Sequence, residues 1–346
     1  MPGSSAITVR PLTAADDALW ERGLEESEQR SFLHWLPWLR CVGNHLGGHT
    51  VLGLERAGRL LGGLAGLVEE SADGRRLRTI FLTAYHGLWV ADRGLRPMAR
   101  ESLMDDVAGA LIPHLNARWD RWAFSSAPEL RDTRPFSDMG CTVDVQFTYR
   151  IDLADAETML ERFDTNARRR IKRAEKDGVT VEVCAPTEED LRTFEDHMRS
   201  VGERQGVTDE DFPAGLFVEI GRLVHGAGCG QLFVARSREG LPAASLLATW
   251  DTHRAYTFLG AGIPELTKTG ATRALTWTAF QWLHAREHRE IDLLGANYQS
   301  LRTHKREWNP RLVPYFTVTG GKMPRMTRRE HLKAAAKHLV KSLLPR

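Results

Sequence analysis

The feature that most limits how this chain can fold is an order of elements that recurs across its 346 residues. In the first half "AITVRPL" alternates like a strand, and a helix opens near Asp16. A second helix, rich in Trp and Leu, covers "SFLHWLPWLRCVGNHL". "HTVLGLERAGRLLGGLAGLVEE" reads as two strands around the turn residues Ala57 and Gly58. A strand at "LRTIFLTAYHGLWV", a helix at "ARESLMDDVAGALIPHLNAR" and strands near "RWAFSS" and "TVDVQFTYRIDL" follow. The second half repeats this order. The spacing predicts one helix over Thr158–Asp177, then a strand at "VTVEVCA" and a helix at "TEEDLRTFEDHMRSVGERQG". "GQLFVARSREGLPAASLLATWDTHRAYTFLGA" supplies two or three antiparallel strands. A helix over Thr272–Arg286 and strands at "EIDLLGA" and "LVPYFTVTG" close the pattern. Such a length suits two cores of roughly 150 residues each. No short repeat period is present, which excludes a solenoid.

Charge narrows the function classes. The formal net charge is only +2, so any attraction to polyanions must come from local clusters. Arg162–Lys176 is one cluster, with seven Lys or Arg in fifteen residues. There Leu160, Phe163, Ala167, Ile171 and Ala174 are spaced 3, 4, 4 and 3, which lays an apolar stripe along one helix face. Arg168, Arg169, Lys172 and Arg173 fall off that stripe and suit either a solvated face or a polyanion contact. The tail from Lys322 to Arg346 is the other cluster, with eight Lys or Arg against one Glu. Its stripe of Leu332, Ala335, Ala336, Leu339 and Leu343 predicts a basic amphipathic helix. Docking on the first domain, contact with RNA and contact with an anionic membrane surface all fit that helix. Cys41, Cys141, Cys184 and Cys229 form no C-x-x-C, which argues for a reducing compartment. The N-terminus lacks the order of a signal peptide, and "RLLGGLAGLVEE" is too short to span a bilayer. A cytoplasmic protein without stable membrane insertion is expected.

Several chemistries find no motif. His284 and His288 are four apart, but H-E-x-x-H is absent and no third ligand follows at metalloprotease spacing. Neither G-x-S-x-G nor a Walker sequence occurs. No metal site is expected.

Three stretches together carry a resemblance. "Arg-x-x-Ile-x-x-Ala-x-x-x-Gly-Val" is met by Arg168, Ile171, Ala174, Gly178 and Val179, and "FTYRIDLAD" precedes it. Downstream, "YTFLGAGIPELTKTGATRALTWTAFQWLHAREHREIDLLGANYQSLRTHKREW" runs from an aromatic strand through a Trp-containing helix to an aromatic-Lys pair. This resembles the second domain of the Fem-type aminoacyltransferases and their FemAB-like or BioF2-like relatives, from about Phe147 to Phe316. The first half matches mainly in element order, and loosely at "SFLHWLPWL" and "YHGLWV". The resemblance implies an α+β fold of two tandem GNAT-like domains, each a mixed, mostly antiparallel sheet flanked by helices. The expected divisions are 1–150, 151–320 and a C-terminal basic helix at 321–346. It also implies amide formation, with an amine attacking an activated acyl group carried by aminoacyl-tRNA, a co-substrate used without further cofactor. The amine-bearing acceptor expected for such an enzyme is a peptidoglycan precursor or a small secondary metabolite.

The alternative donor, acyl-CoA, needs a pyrophosphate cradle at a helix N-terminus, usually Gln/Arg-x-x-Gly-x-Gly/Ala. "TKTGAT" puts Thr267 and Thr272 at the outer positions of that pattern, and "ADRGLR" puts Ala91 and Arg96 there. Neither turn fits, although Lys268, Gly270 and Arg273 retain the charge to bind an anion. A third reading is an inert double-GNAT module that binds RNA or a partner. Within the resemblance, Lys305 stands at the lysine of the family's Phe-Lys pair and is expected to stabilise charge at the reacting carbonyl. His304 replaces the Phe beside it. Asp292, at a strand in "EIDLLG", is the candidate base or orienting group. Tyr256 and Asn297 are expected, with His304, to line the acceptor pocket.

Overall fold

The computed structural model describes residues 6–72, 74–79, 83–205, 212–297 and 299–321. The basic tail expected to form a docked helix lies outside them. Among the described residues thirteen strands join in a single sheet. They are β1 (Thr8–Pro11), β2 (His49–Arg56), β3 (Arg59–Ser71), β4 (Gly74–Arg78), β5 (Leu88–Val90), β6 (Arg121–Ser125) and β7 (Thr142–Asp152). The second half adds β8 (Thr180–Cys184), β9 (Gly230–Arg236), β10 (Pro242–Trp250), β11 (Ala255–Gly262), β12 (Glu290–Asp292) and β13 (Arg311–Gly321). The sheet runs β1-β2-β3-β4-β6-β13-β7-β12-β11-β10-β9-β8, with β5 pairing β3 off this path.

Read outward from its centre, that order is the same on both sides. Each half lays down an antiparallel run, then a parallel pair bracketing a long helix. That pair is β4 and β6 around Pro97–Arg118, and β11 and β12 around Ala271–His284. The closing strands are exchanged. β7 follows β6 in the chain yet pairs β12, and β13 follows β12 yet pairs β6. β7 and β13 then pair with each other, from Arg311↔Arg150 to Thr319↔Thr142. Both are rich in Val, Thr, Phe and Tyr, residues suited to a pleated surface.

Three apolar cores hold this arrangement. One lies under the helix Pro97–Arg118, where Val107 and Leu111 pack on Leu64, Phe124 and Val318. A second lies under Ala271–His284, where Leu275 and Phe280 meet Ile151, Phe233 and Ile291. The third joins the halves: Trp20 and Trp38 of the first share it with Phe194, Phe217 and Ile220 of the second. Trp38 meets Phe258 of β11 edge-on, with ring centroids 4.7 Å apart. A fully buried apolar side chain of this kind contributes roughly 1.5–3 kcal/mol, so the seam is a core in its own right.

The structure departs from the sequence reading at particular residues. The helix expected over Thr158–Asp177 is two, Ala156–Arg162 and Thr165–Lys176. Phe163 is extended, and the Asp164 carboxylate takes the Asn166 amide at 2.7 Å, so a new N-cap restarts the helix. The strand expected at "LRTIFLTAYHGLWV" is broken into β4 and β5, with Tyr85 between them. In "SFLHWLPWLRCVGNHL" the helix begins only at Leu36, because Pro37 belongs in a first turn. Leu216–Gly226 and Gln299–Lys305 are further helices that the pattern did not reveal. All four cysteines are free thiols, and no helix among the described residues is long and apolar enough to cross a membrane.

Strand exchange has a testable consequence. A fragment of residues 1–150 lacks β13, the partner of β6, and loses the Trp38–Phe258 contact. It is expected to show no cooperative urea transition by circular dichroism, whereas addition of a 151–346 fragment restores one.

Candidate active site

The chemistry-bearing residues of the second half gather where β11 and β12 part. These strands share only the pairs Ala255↔Ile291 and Tyr256↔Asp292, after which β11 continues to Gly262 paired with β10 but not with β12. At this fork Asp292 is fully buried and accepts four hydrogen bonds. Tyr85 Oη and Thr148 Oγ1 each donate at 2.5 Å, Arg150 Nε at 3.0 Å and the Leu294 amide at 2.8 Å. A carboxylate fed by so many donors remains a fixed acceptor. Tyr85 comes from the first half, Thr148 and Arg150 from β7, so Asp292 is tied to three parts of the chain.

Behind Asp292 the ion pairs continue. Arg150 Nη1 and Arg254 Nη2 both donate to Glu129 Oε1 at 2.8 Å, and Arg254 Nε reaches Glu290 at 3.0 Å. Arg311 of β13 closes the series on Glu290 at 2.6 Å. Burial pushes the Glu129 carboxyl up, but Arg254 and Arg150 outweigh it and hold the group at about 2.

Beyond Asp292 the backbone turns through two left-handed residues, Leu294 at φ 57° and Gly295 at φ 54°. The turn leaves two carbonyls facing the helix Gln299–Lys305. Lys305 Nζ donates to Leu293 O at 2.6 Å and Leu294 O at 3.0 Å. Glycine is needed beside it, since a Cβ on Gly295 would lie 2.9 Å from Leu301 Cδ1 and 3.1 Å from Lys305 Nζ. Burial lowers the Lys305 ammonium to about 8, with Asp292 acting in the opposite direction. An ammonium has three donors, and two are engaged here.

The other residues singled out in the sequence fall in different places. Tyr256 is fully buried beside the fork, and its hydroxyl donates to Asp251 at 2.9 Å. That carboxylate also receives the Phe32 amide of the first half at 2.7 Å. Asn297 bridges the closing strands, accepting from the Phe147 amide at 2.8 Å and donating to Tyr315 Oη at 3.0 Å. His304 is exposed, with its ring 3.3 Å from Arg273 Nη2. Arg273 itself is buried, paired to Glu307 at 2.7 Å and lying over Trp308 at 5.7 Å. Its charge is therefore spent inside the fold. Lys268, Arg168, Arg169, Lys172 and Arg173 are exposed, the last four on the outer face of Thr165–Lys176.

That basic helix also bears on the anion seat. It packs across the start of Ala271–His284, where Gly270 sits at φ 92°. A Cβ on Gly270 would come within 2.4 Å of the Arg170 carbonyl oxygen. A backbone carbonyl thus lies against Gly270 itself, and only a residue without a side chain fits there. In the first half the corresponding turn at Gly94 has open space, but Pro97 begins the helix and removes one amide donor. Among the described residues no group of three or more His, Cys, Asp or Glu is placed to hold a metal ion.

Sequence reasoning missed Tyr85, Thr148, Arg150, Glu129 and Arg254, which build the surroundings of Asp292 and Lys305. Arg150 alone carried a signal, as a charge set between the apolar residues Tyr149 and Ile151.

Glu129 gives this network a pH dependence. Its carboxyl is lowered from 4.5 to about 2 on folding, so its contribution is fully present above pH 4.5 and disappears as pH falls through 2. Glu129→Gln is expected to cost about 3 kcal/mol at pH 7 by leaving Arg150 and Arg254 short of a counter-charge. It should also flatten the loss of stability between pH 4.5 and 2, measured by urea unfolding.

Comparison with known proteins agrees with this architecture. Residues 146–306 match the Acetyltransferase (GNAT) domain family, from inside β7 to just past Lys305. No curated protein matches the chain by sequence. Among solved structures, FemX superposes with a TM-score of 0.65 at 13% identity, covering 89% of this chain and 96% of that one. L-PGS from Bacillus licheniformis gives 0.55 at 15% identity, covering 96% and 98%. A tandem GNAT protein from the clavulanic acid biosynthesis pathway gives 0.50 at 14%, covering 92% and 99%. At these identities the likeness is one of fold. The second half of the chain therefore carries a GNAT acyltransferase-type domain, and the chain as a whole shares the fold of FemX and of a tandem GNAT protein.

Proposed function

We propose that the protein transfers an aminoacyl group from aminoacyl-tRNA to an amine-bearing acceptor, either a peptidoglycan precursor or a small secondary metabolite, forming an amide. The observation that carries this reading is the helix start at Gly270, where the nearby arginine is already paired inside the fold. A thioester carrier's pyrophosphate needs room and a free cation there. Instead the Arg170 carbonyl lies against Gly270, and the neighbouring Arg273 is held by Glu307. The helix packed beside Gly270 presents Arg168, Arg169, Lys172 and Arg173 outward, a charge pattern suited to a phosphate backbone. The fold likeness to FemX and to L-PGS supports the same direction. Such a donor places the enzyme in the cytoplasm.

In this reading the acceptor nitrogen attacks the ester carbonyl and the C–N bond forms. The C–O bond then breaks, and the terminal ribose hydroxyl of the tRNA leaves with the proton given up by the amine. Lys305, whose third N–H is not engaged by the two turn carbonyls, faces the oxygen on which negative charge develops. Asp292 orients the turn that holds Lys305. Its four donors leave it poorly suited to act as the base, the other role the sequence suggested for it. Asn297, His304 and Tyr256 remain our assignments for the surroundings of the acceptor.

Two measurements test this. With protein freed of nucleic acid, charged tRNA is expected to support acyl transfer and RNase to abolish it. Turnover from an acyl-CoA panel that is insensitive to RNase would contradict the donor. Lys305→Ala should lower kcat by roughly 10²–10³, the usual loss for an oxyanion donor. The reactive form is the ammonium, so wild-type kcat/KM should fall as pH rises through about 8, and Lys305→Arg should remove that limb.

A further inference from the structure

Tyr85 belongs to the first half, yet its hydroxyl ends on Asp292 of the second at 2.5 Å. The side chain is fully buried, and its ring meets Tyr315 of β13 edge-on at 5.4 Å, which fixes its direction. Asp292 Oδ2 receives Tyr85 and Arg150, while Oδ1 receives Thr148 and the Leu294 amide. Leu294 is a γ-branched residue in the left-handed region, a conformation that costs of order 1 kcal/mol and persists only when its surroundings hold it. The bond from its amide to Asp292 is that hold. The two carbonyls on either side of the Leu294 Cα and amide, those of Leu293 and Leu294, are the acceptors of Lys305 Nζ. Any rotation of Asp292 therefore moves the two atoms that place the lysine.

We propose that Tyr85 is a positioning residue which, through Asp292 and the turn Leu293–Gly295, sets where the Lys305 ammonium sits, so that a first-half side chain completes the second-half site. This rests on the reading of Lys305 as the group at the reacting carbonyl. The charged groups facing Lys305 are Asp292 of β12, with Arg150 of β7 behind it. On its own stretch His304 adjoins it, with Arg273 and Glu307 beyond. Without the Tyr85 hydroxyl, Asp292 Oδ2 keeps only Arg150, the turn loosens, and Lys305 gains water.

The readout is the titration of Lys305 alone, followed by NMR of its labelled Cε and Nζ in the full-length protein. In wild type the midpoint is expected near 8, lowered by burial. Tyr85→Phe is expected to raise it by about one unit as burial of the ammonium is relieved. Thr148→Val breaks the same hub from β7 and should move the midpoint in the same direction, which keeps the test decisive if Tyr85→Phe folds poorly. Thr158→Ala, at a helix start away from the hub, should leave the midpoint in place. If Tyr85→Phe and Thr148→Val lower Tm while the midpoint stays near 8, the positioning role is overturned. A shifted midpoint together with full acyl transfer by Lys305→Ala would instead overturn the role given to Lys305.

Discussion

The structure depends on one buried carboxylate being satisfied from both sides of a seam. Asp292 ends a strand of three residues, and its surroundings exclude water. A charge in such a place is tolerable only when hydrogen bonds replace its hydration. No single segment of the chain supplies them. Tyr85 comes from the break between β4 and β5, Thr148 and Arg150 from the exchanged strand β7, and the Leu294 amide from the turn itself. Satisfying Asp292 therefore requires the halves to be packed and the closing strands to be exchanged.

That requirement connects architecture to chemistry. β7 and β13 form the centre of the sheet, so each half owes one edge to the other. The ion pairs from Arg150 through Glu129 and Arg254 to Glu290 and Arg311 join the strands that meet there. Buried pairs of this kind contribute little net stability when complete, because desolvation offsets attraction, and cost much when broken. Stability comes mainly from the Trp and Phe packing around Trp38 and Phe258, while the charges fix the geometry. Lys305 is placed by the product of both, an ammonium held by carbonyls of a turn that Asp292 locks.

The sequence made much of the fold legible through period and turn residues. The hairpin around Ala57–Gly58, the long helix before "RWAFSS" and the final strand "LVPYFTVTG" appear as β2–β3, Pro97–Arg118 and β13. The exchange of closing strands was not legible, because β7 and β13 alternate alike and nothing local records which edge each one joins. The restart at Asp164 was hidden by an apolar stripe that continues through the break from Leu160 to Ala167. At the site, Lys305 and Asp292 came from a resemblance, whereas their meaning came from partners far away in the chain. Tyr85 lies 207 positions from Asp292, and no spacing rule reaches that far. Arg273 shows the opposite error. Its position in the first turn of a helix suggested a free cation, but Glu307 and Trp308 claim it from a later turn.

Native-state hydrogen exchange at the Leu294 amide tests the central claim most directly. If Asp292 is the joint on which both halves close, that amide should exchange only through global unfolding, at the same free energy as the amides shared between β7 and β13. Exchange of Leu294 at low denaturant, while those strand amides remain protected, would contradict it.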